Sequence, residues 1–128
     1  MNYTTLEQSK KLLELGLDPK TADMYYAHLI RMGSDTYDET EPLVGEFDYP
    51  YEFPCWSLGV LIDLMPDEIK EDGDTYRLLI THKLAQYSRL TTLWPSLYNS
   101  HADSTFEVAY NMMVWLLENK YIKTGNHD

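Results

Sequence analysis

The apolar residues of this chain change their period along its length, and that change limits the fold more than any single residue does. Near the start, Leu6, Ser9, Leu12, Leu13 and Leu15 share one side at the helical period, opposite Glu7, Lys10, Lys11 and Glu14. Near the end, Phe106, Val108, Ala109, Tyr110, Met112, Met113, Trp115, Leu116 and Leu117 cover most of a helix. Only Glu107, Asn111 and Glu118 remain there as a narrow polar stripe. In between, Tyr76, Leu78 and Ile80 recur at every second position, the period of a strand. Helical blocks flanking a strand-like middle predict an α+β fold.

Local punctuation sharpens this. Thr4 with Glu7, or Thr5 with Gln8, has capping-box spacing and starts a helix over about 5–15. Gly16 offers a left-handed stop, with Leu17 folding back onto the helix. Asp18-Pro19 restarts the chain. A second, short helix is expected between Ser57 and Pro66, where Leu58, Val60, Leu61, Ile62, Leu64 and Met65 surround only Gly59 and Asp63. A third starts at Ser104, three residues before Glu107, and stops at Asn119 in a left-handed conformation.

The strands are less plainly marked. Residues 24–31 fit either a helix or a buried strand; the strand is favoured, because a lone hairpin gains from a third partner. Tyr76–His82 reads as a strand and Ser88–Trp94 as its antiparallel return, with a helix over 81–90 as the rival. Residues 67–74 read as an acidic link with a turn at Asp72-Gly73. The expected architecture is one domain over 1–128: three helices packed with a small, mostly antiparallel sheet of about three strands. Its core should hold Leu12, Leu13, Leu61, Ile62, Leu78, Ile80, Ala109, Met113 and Leu116, and much of Trp56 and Trp115.

Residues 33–54 read as a long acidic and aromatic connection. They carry seven of the 21 acids and no base, in a chain of net charge −11. Residues 77–102 are the opposite, with Arg77, Lys83 and Arg89 and no acid. Within the connection, Phe47, Tyr49, Tyr51 and Phe53 alternate with Asp48, Pro50, Glu52 and Pro54. The two prolines forbid a helix and favour extended backbone before them, which would place the aromatics on one side. Those rings either cover a core edge or form a partly exposed face for a partner.

Composition removes several classes. No apolar run reaches the roughly 18 residues of a membrane span. The opening Met1–Thr5 lacks the basic and apolar regions of a signal peptide, so a cytoplasmic location is expected. One cysteine excludes an internal disulfide framework. Net negative charge argues against direct nucleic-acid binding by bulk charge. His28, His82, His101 and His127 have no metal-ligand spacing, the acidic loops lack calcium-loop order, and no phosphate loop is present. No metal, cofactor or catalytic residue is therefore expected. Cys55 is the one candidate nucleophile, two residues before a helix start, although a small buried side chain beside Trp56 is the simpler account.

Three blocks carry a resemblance. They are Met1–Pro19 with Thr21–Met24, Pro54–Gly59 followed by Leu64–Pro66, and Met113–Ile122, together roughly half of the chain. In these blocks the chain is similar to small uncharacterised proteins of gut Bacteroides-type bacteria and their prophages or other mobile elements. The resemblance implies a compact intracellular α+β protein from a mobile-element setting and supplies no catalytic residue, cofactor or ligand.

These readings lead to a non-enzymatic interaction or accessory protein with an unidentified protein partner. Its surface would be the acidic, aromatic segment 35–54 with neighbours from 67–74, centred on Asp48, Tyr49, Tyr51 and Glu52. The alternative is an acidic mimic of nucleic acid that occupies a basic protein, and a Cys55-dependent enzyme is the third choice. The narrow polar stripe of the last helix also allows a homodimer.

Overall fold

The computed structural model describes residues 2–31, 34–89 and 96–122. These divide into two compact units, residues 2–60 and 61–122. The elements in chain order are α1 (Leu6–Glu14), a 3₁₀ turn (Pro19–Thr21), β1 (Met24–Tyr26), β2 (His28–Arg31), β3 (Ser34–Tyr37), β4 (Leu43–Val44) and β5 (Phe53–Cys55). Then come α2 (Leu58–Leu64), β6 (Glu68–Glu71), β7 (Asp74–Ile80), β8 (Leu84–Arg89), β9 (Ser96–His101) and α3 (Thr105–Glu118).

The expected small sheet of about three strands is overturned. The described residues form three α-helices but nine strands, in three sheets of three, two and four strands, all paired antiparallel. Much of the surplus comes from the stretch read as a connection, where β3, β4 and the start of β5 lie. It was hidden because β4 and β5 are only two and three residues long, too short to show a period.

In the first unit, α1 begins as its spacing predicts. The Thr5 hydroxyl accepts the Gln8 N–H at 3.1 Å, and the Gln8 side chain accepts the Thr5 N–H at 2.9 Å. It ends in a Schellman arrangement: Gly16 has φ 102°, and Leu17 N–H donates to the Leu12 carbonyl. β1 is the middle strand of the order β4–β1–β5. Leu6, Tyr26, Phe53 and Cys55 form the cluster beneath α1, with Tyr3, Leu13, Met24 and Tyr37 packed against it.

A buried polar knot ties this unit together. Thr4 N–H donates to the Trp56 carbonyl at 2.9 Å, and Trp56 N–H donates to the Thr4 hydroxyl at 3.0 Å. The Tyr26 hydroxyl and the Cys55 thiol both donate to the Thr4 carbonyl, at 2.6 and 3.3 Å. Ser9 meets the Thr4 hydroxyl at 2.7 Å. Buried polar groups persist when their bonds are satisfied, so one threonine fixes the N-terminal segment against residues 55–57.

The second unit is a four-stranded meander in sequence order, β6–β7–β8–β9, with α3 against β8 and β9. The β6–β7 turn uses Asp72 and Gly73, at φ 51° and 84°, as a two-residue hairpin requires. Tyr76 and Tyr87 are buried on one face, and so are Ile69, opposite Tyr76, and Ala85, opposite Ile80. From α3, Val108, Ala109, Met112, Met113 and Leu116 are buried. The Ser100 hydroxyl donates to the Val108 carbonyl at 3.0 Å.

Several local expectations shift here. The return strand begins at Leu84 rather than Ser88, because Thr81–Lys83 make the turn, closed by Thr81 N–H to the Leu84 carbonyl at 2.7 Å. Residues 90–94 lie outside the described residues. The left-handed residue after α3 is Lys120, at φ 62°, and not Asn119, at φ −100°. Of the expected core, Leu12, Leu61, Ala109, Met113, Leu116 and Trp56 are buried. Leu13, Ile62, Leu78, Ile80 and Trp115 are only half-buried. Trp115 instead stacks on Tyr98 at 4.6 Å and lies 5.2 Å from Tyr121, centroid to centroid.

Candidate functional site

Four of the five large hydrophobic side chains that stand exposed among the described residues lie within residues 43–51. They are Leu43 and Tyr49 at 46 %, Tyr51 at 57 % and Val44 at 79 %. The first two elements of this face follow from backbone constraints. β4 is the outer strand of its sheet, so Leu43 and Val44 have a paired strand on one side only. Gly45 then turns the chain at φ 131°, and its N–H donates to the Asp23 carbonyl at 3.3 Å.

Residues 48–52 were expected to be extended; they form a turn. Glu52 N–H donates to the Asp48 carbonyl at 2.6 Å, and Asp48 N–H donates to the Glu52 carboxylate at 3.0 Å. The Tyr49–Pro50 peptide is cis, and the Tyr37 hydroxyl donates to the Pro50 carbonyl. The rings consequently separate instead of lining one side. Phe53 is buried, with Tyr49 and Tyr37 edge-on at 5.7 and 5.1 Å. Phe47 stacks on Tyr25 at 5.8 Å, and Tyr51 lies over His28 at 4.3 Å.

The strand–turn–turn path opens a groove of about 700 Å³ in the first unit. Val44, Phe47 and Tyr49, with Pro19 and Ala22, give it its apolar lining. Lys20, Asp23, Glu46 and Asp48 supply the charge. Asp23 is already engaged: its carboxylate accepts the Ser57 N–H at 3.0 Å and the Ser57 hydroxyl at 2.6 Å. The groove volume lies within the range of small-ligand and peptide sites.

Of the residues singled out from sequence, Asp48 and Tyr49 line the groove, whereas Tyr51 and Glu52 do not. Glu52 is turned back to hold its own loop. Residues 67–74 belong to the second unit, as β6 and its turn, and contribute no groove wall. Val44 and Glu46 fall within the expected segment 35–54 but were not singled out, and Pro19, Lys20, Ala22 and Asp23 lie outside it. The Gly45 beside Leu43-Val44 was the available sign that an apolar pair stands at a turn.

The Cys55 thiol is fully buried, and burial is the main cause that raises its pKa. The Thr4 hydroxyl donates to the sulfur at 3.7 Å. A protonated, enclosed thiol is a poor nucleophile. Tyr26, its neighbour, is pushed up chiefly by burial as well. Among the described residues no group of three or more His, Cys, Asp or Glu could hold a metal ion. None of their helices is long and apolar enough to cross a membrane.

Compared with protein-family models, with curated proteins and with solved structures, the chain finds no match in any of the three.

Proposed function

We propose that this chain is a non-enzymatic interaction protein of the cytoplasm, an accessory factor in a mobile-element setting, that binds a protein partner through the face of residues 43–51. One observation carries the reading: four of the five exposed large hydrophobic side chains among the described residues, Leu43, Val44, Tyr49 and Tyr51, fall within residues 43–51, in a stretch that holds acids and no base. Isolated exposed apolar residues are ordinary, but Val44 and Tyr49 stand exposed along the same groove, as at a contact surface. Tyrosines there supply area with little entropy cost, and the carboxylates steer the encounter.

The same carboxylates could serve an acidic mimic of nucleic acid. Their alternation with exposed apolar side chains favours a protein partner instead, since a phosphate ladder has no apolar groups between its charges.

The test is affinity purification from the native host with wild type and with Tyr49→Ala plus Tyr51→Ala, read by mass spectrometry. Both tyrosines are exposed, so the variant should keep its circular dichroism spectrum and melting curve. Loss of a specific partner from the variant supports the surface. Equal recovery of every partner by both proteins removes it.

A further inference from the structure

The groove of the first unit combines an apolar lining with three carboxylates against one lysine, and the combination selects its occupant. Val44 and Tyr49 expose 79 % and 46 % of their surfaces beside it. Glu46 and Asp48 flank Phe47 in the chain, and neither has a cationic partner in an ion pair among the described residues. Asp23 spends its carboxylate on Ser57. Among the described residues Lys20 is the one basic side chain lining the groove, and residues 33–60 contain no base.

We infer that the groove seats an extended, arginine-bearing peptide segment of a partner protein, with the arginine stem against Val44 and Tyr49 and its guanidinium at Glu46 and Asp48. This rests on the reading of residues 43–51 as a partner surface and adds the chemistry of what sits there. A purely apolar segment would cover Glu46 and Asp48 without pairing them, and burying unpaired charge is costly. An acidic segment, or a nucleic acid, would meet like charge. A bare cation is disfavoured because no ligand cluster is present among the described residues. Arginine fits better than lysine: its planar fork can take a carboxylate through two hydrogen bonds, and its flat face can stack on the exposed Tyr49 ring.

The experiment is fluorescence anisotropy with a labelled peptide Gly-Arg-Leu-Arg-Leu-Gly, against the same peptide with glutamates, or with lysines, in place of the arginines. The arginine peptide should bind the intact chain about tenfold more tightly than the glutamate peptide, and more tightly than the lysine peptide, with the preference shrinking as salt rises. Glu46→Gln plus Asp48→Asn should weaken it by about tenfold, and Val44→Ser by about threefold. Glu118→Gln plus Asp63→Asn removes the same charge at exposed residues that do not line the groove and should change affinity by less than about twofold.

Equal weakening by the two double variants would show general attraction to an acidic chain and would overturn the site. Arginine and glutamate peptides binding alike, or neither binding, would overturn it too. If the peptides fail while Tyr49→Ala plus Tyr51→Ala still loses its partner, the arginine chemistry falls and the surface stands. If both fail, the surface falls with it.

Discussion

The two units of this chain are built on opposite principles. Residues 61–122 form a meander in which each strand pairs with the next in sequence, covered by a helix of 14 residues. Residues 2–60 pair out of order, β4–β1–β5, with strands of two or three residues in that sheet. Repeated backbone ladders and a broad apolar helix face hold the first kind of structure. Few ladder bonds are available to the second, so side-chain hydrogen bonds from Thr4, Tyr26 and Asp23 substitute for them. The lesson concerns function as much as stability. A region held at a few buried points can leave apolar residues such as Val44 in water, whereas the sheet under the helix encloses Ile69, Tyr76, Ala85 and Tyr87 together on one face.

The largest expected effects separate these principles. Leu116→Ala removes a fully buried side chain from α3 and should cost about 3 kcal/mol through a cavity. Thr4→Val keeps the shape but strands the Trp56 N–H and the Ser9 hydroxyl, and should cost about 2 kcal/mol. Urea denaturation measures both totals. Native-state hydrogen exchange locates them, with faster exchange over 61–122 in the first variant and over 2–60 in the second. Equal acceleration throughout in both variants would merge the two regions into one cooperative unit and break the comparison.

A smaller effect tests the end of α3. Lys120 occupies a left-handed conformation at φ 62°, and its N–H closes onto the Leu117 carbonyl at 3.2 Å. Lys120→Gly should therefore raise stability by about 0.5–1 kcal/mol, since glycine adopts that conformation without a Cβ penalty. A lower melting temperature would mean that the lysine side chain contributes more than its backbone costs.

The smallest effect is pH-dependent. The Tyr121 hydroxyl donates to the Glu71 carboxylate at 2.7 Å, and that bond, with some burial, pushes its pKa up to about 12 from 10.0. A folded-state pKa above the unfolded one favours the folded chain while the phenol is protonated. The contribution is thus complete below pH 10 and is lost as the pH rises through about 12. Tyr121→Phe should cost about 0.5 kcal/mol near neutrality, a value reduced for solvent screening, and nothing once the wild-type phenol has ionised. A difference that persists unchanged through that window would remove the Glu71 bond as the cause of the pH dependence.

Legibility followed the range of the interactions. The caps at Thr5 and Ser104, the Gly16 stop and the Asp72-Gly73 turn were all readable, because each depends on residues within a few positions. β6 was missed even though its turn was seen: Glu68, Lys70 and Glu71 look like a solvated link, and only Ile69 is buried. Asn119 and Lys120 could not be told apart, since the choice depends on where the helix releases its last carbonyls. At the candidate site, Asp48 and Tyr49 were found from their alternation, but the turn at 48–52 removed Tyr51 and Glu52 from the groove.

What the sequence determined by itself was which segments are helical, how they are capped at their starts, and how the charge is distributed, because a helix bonds to itself across four residues and charge is a property of composition. Only the tertiary structure decided which strands pair and which apolar side chains stay in water. A strand finds its hydrogen-bond partners elsewhere in the chain, so Phe53 could be enclosed and Val44 left exposed nine residues away with no local rule to distinguish them.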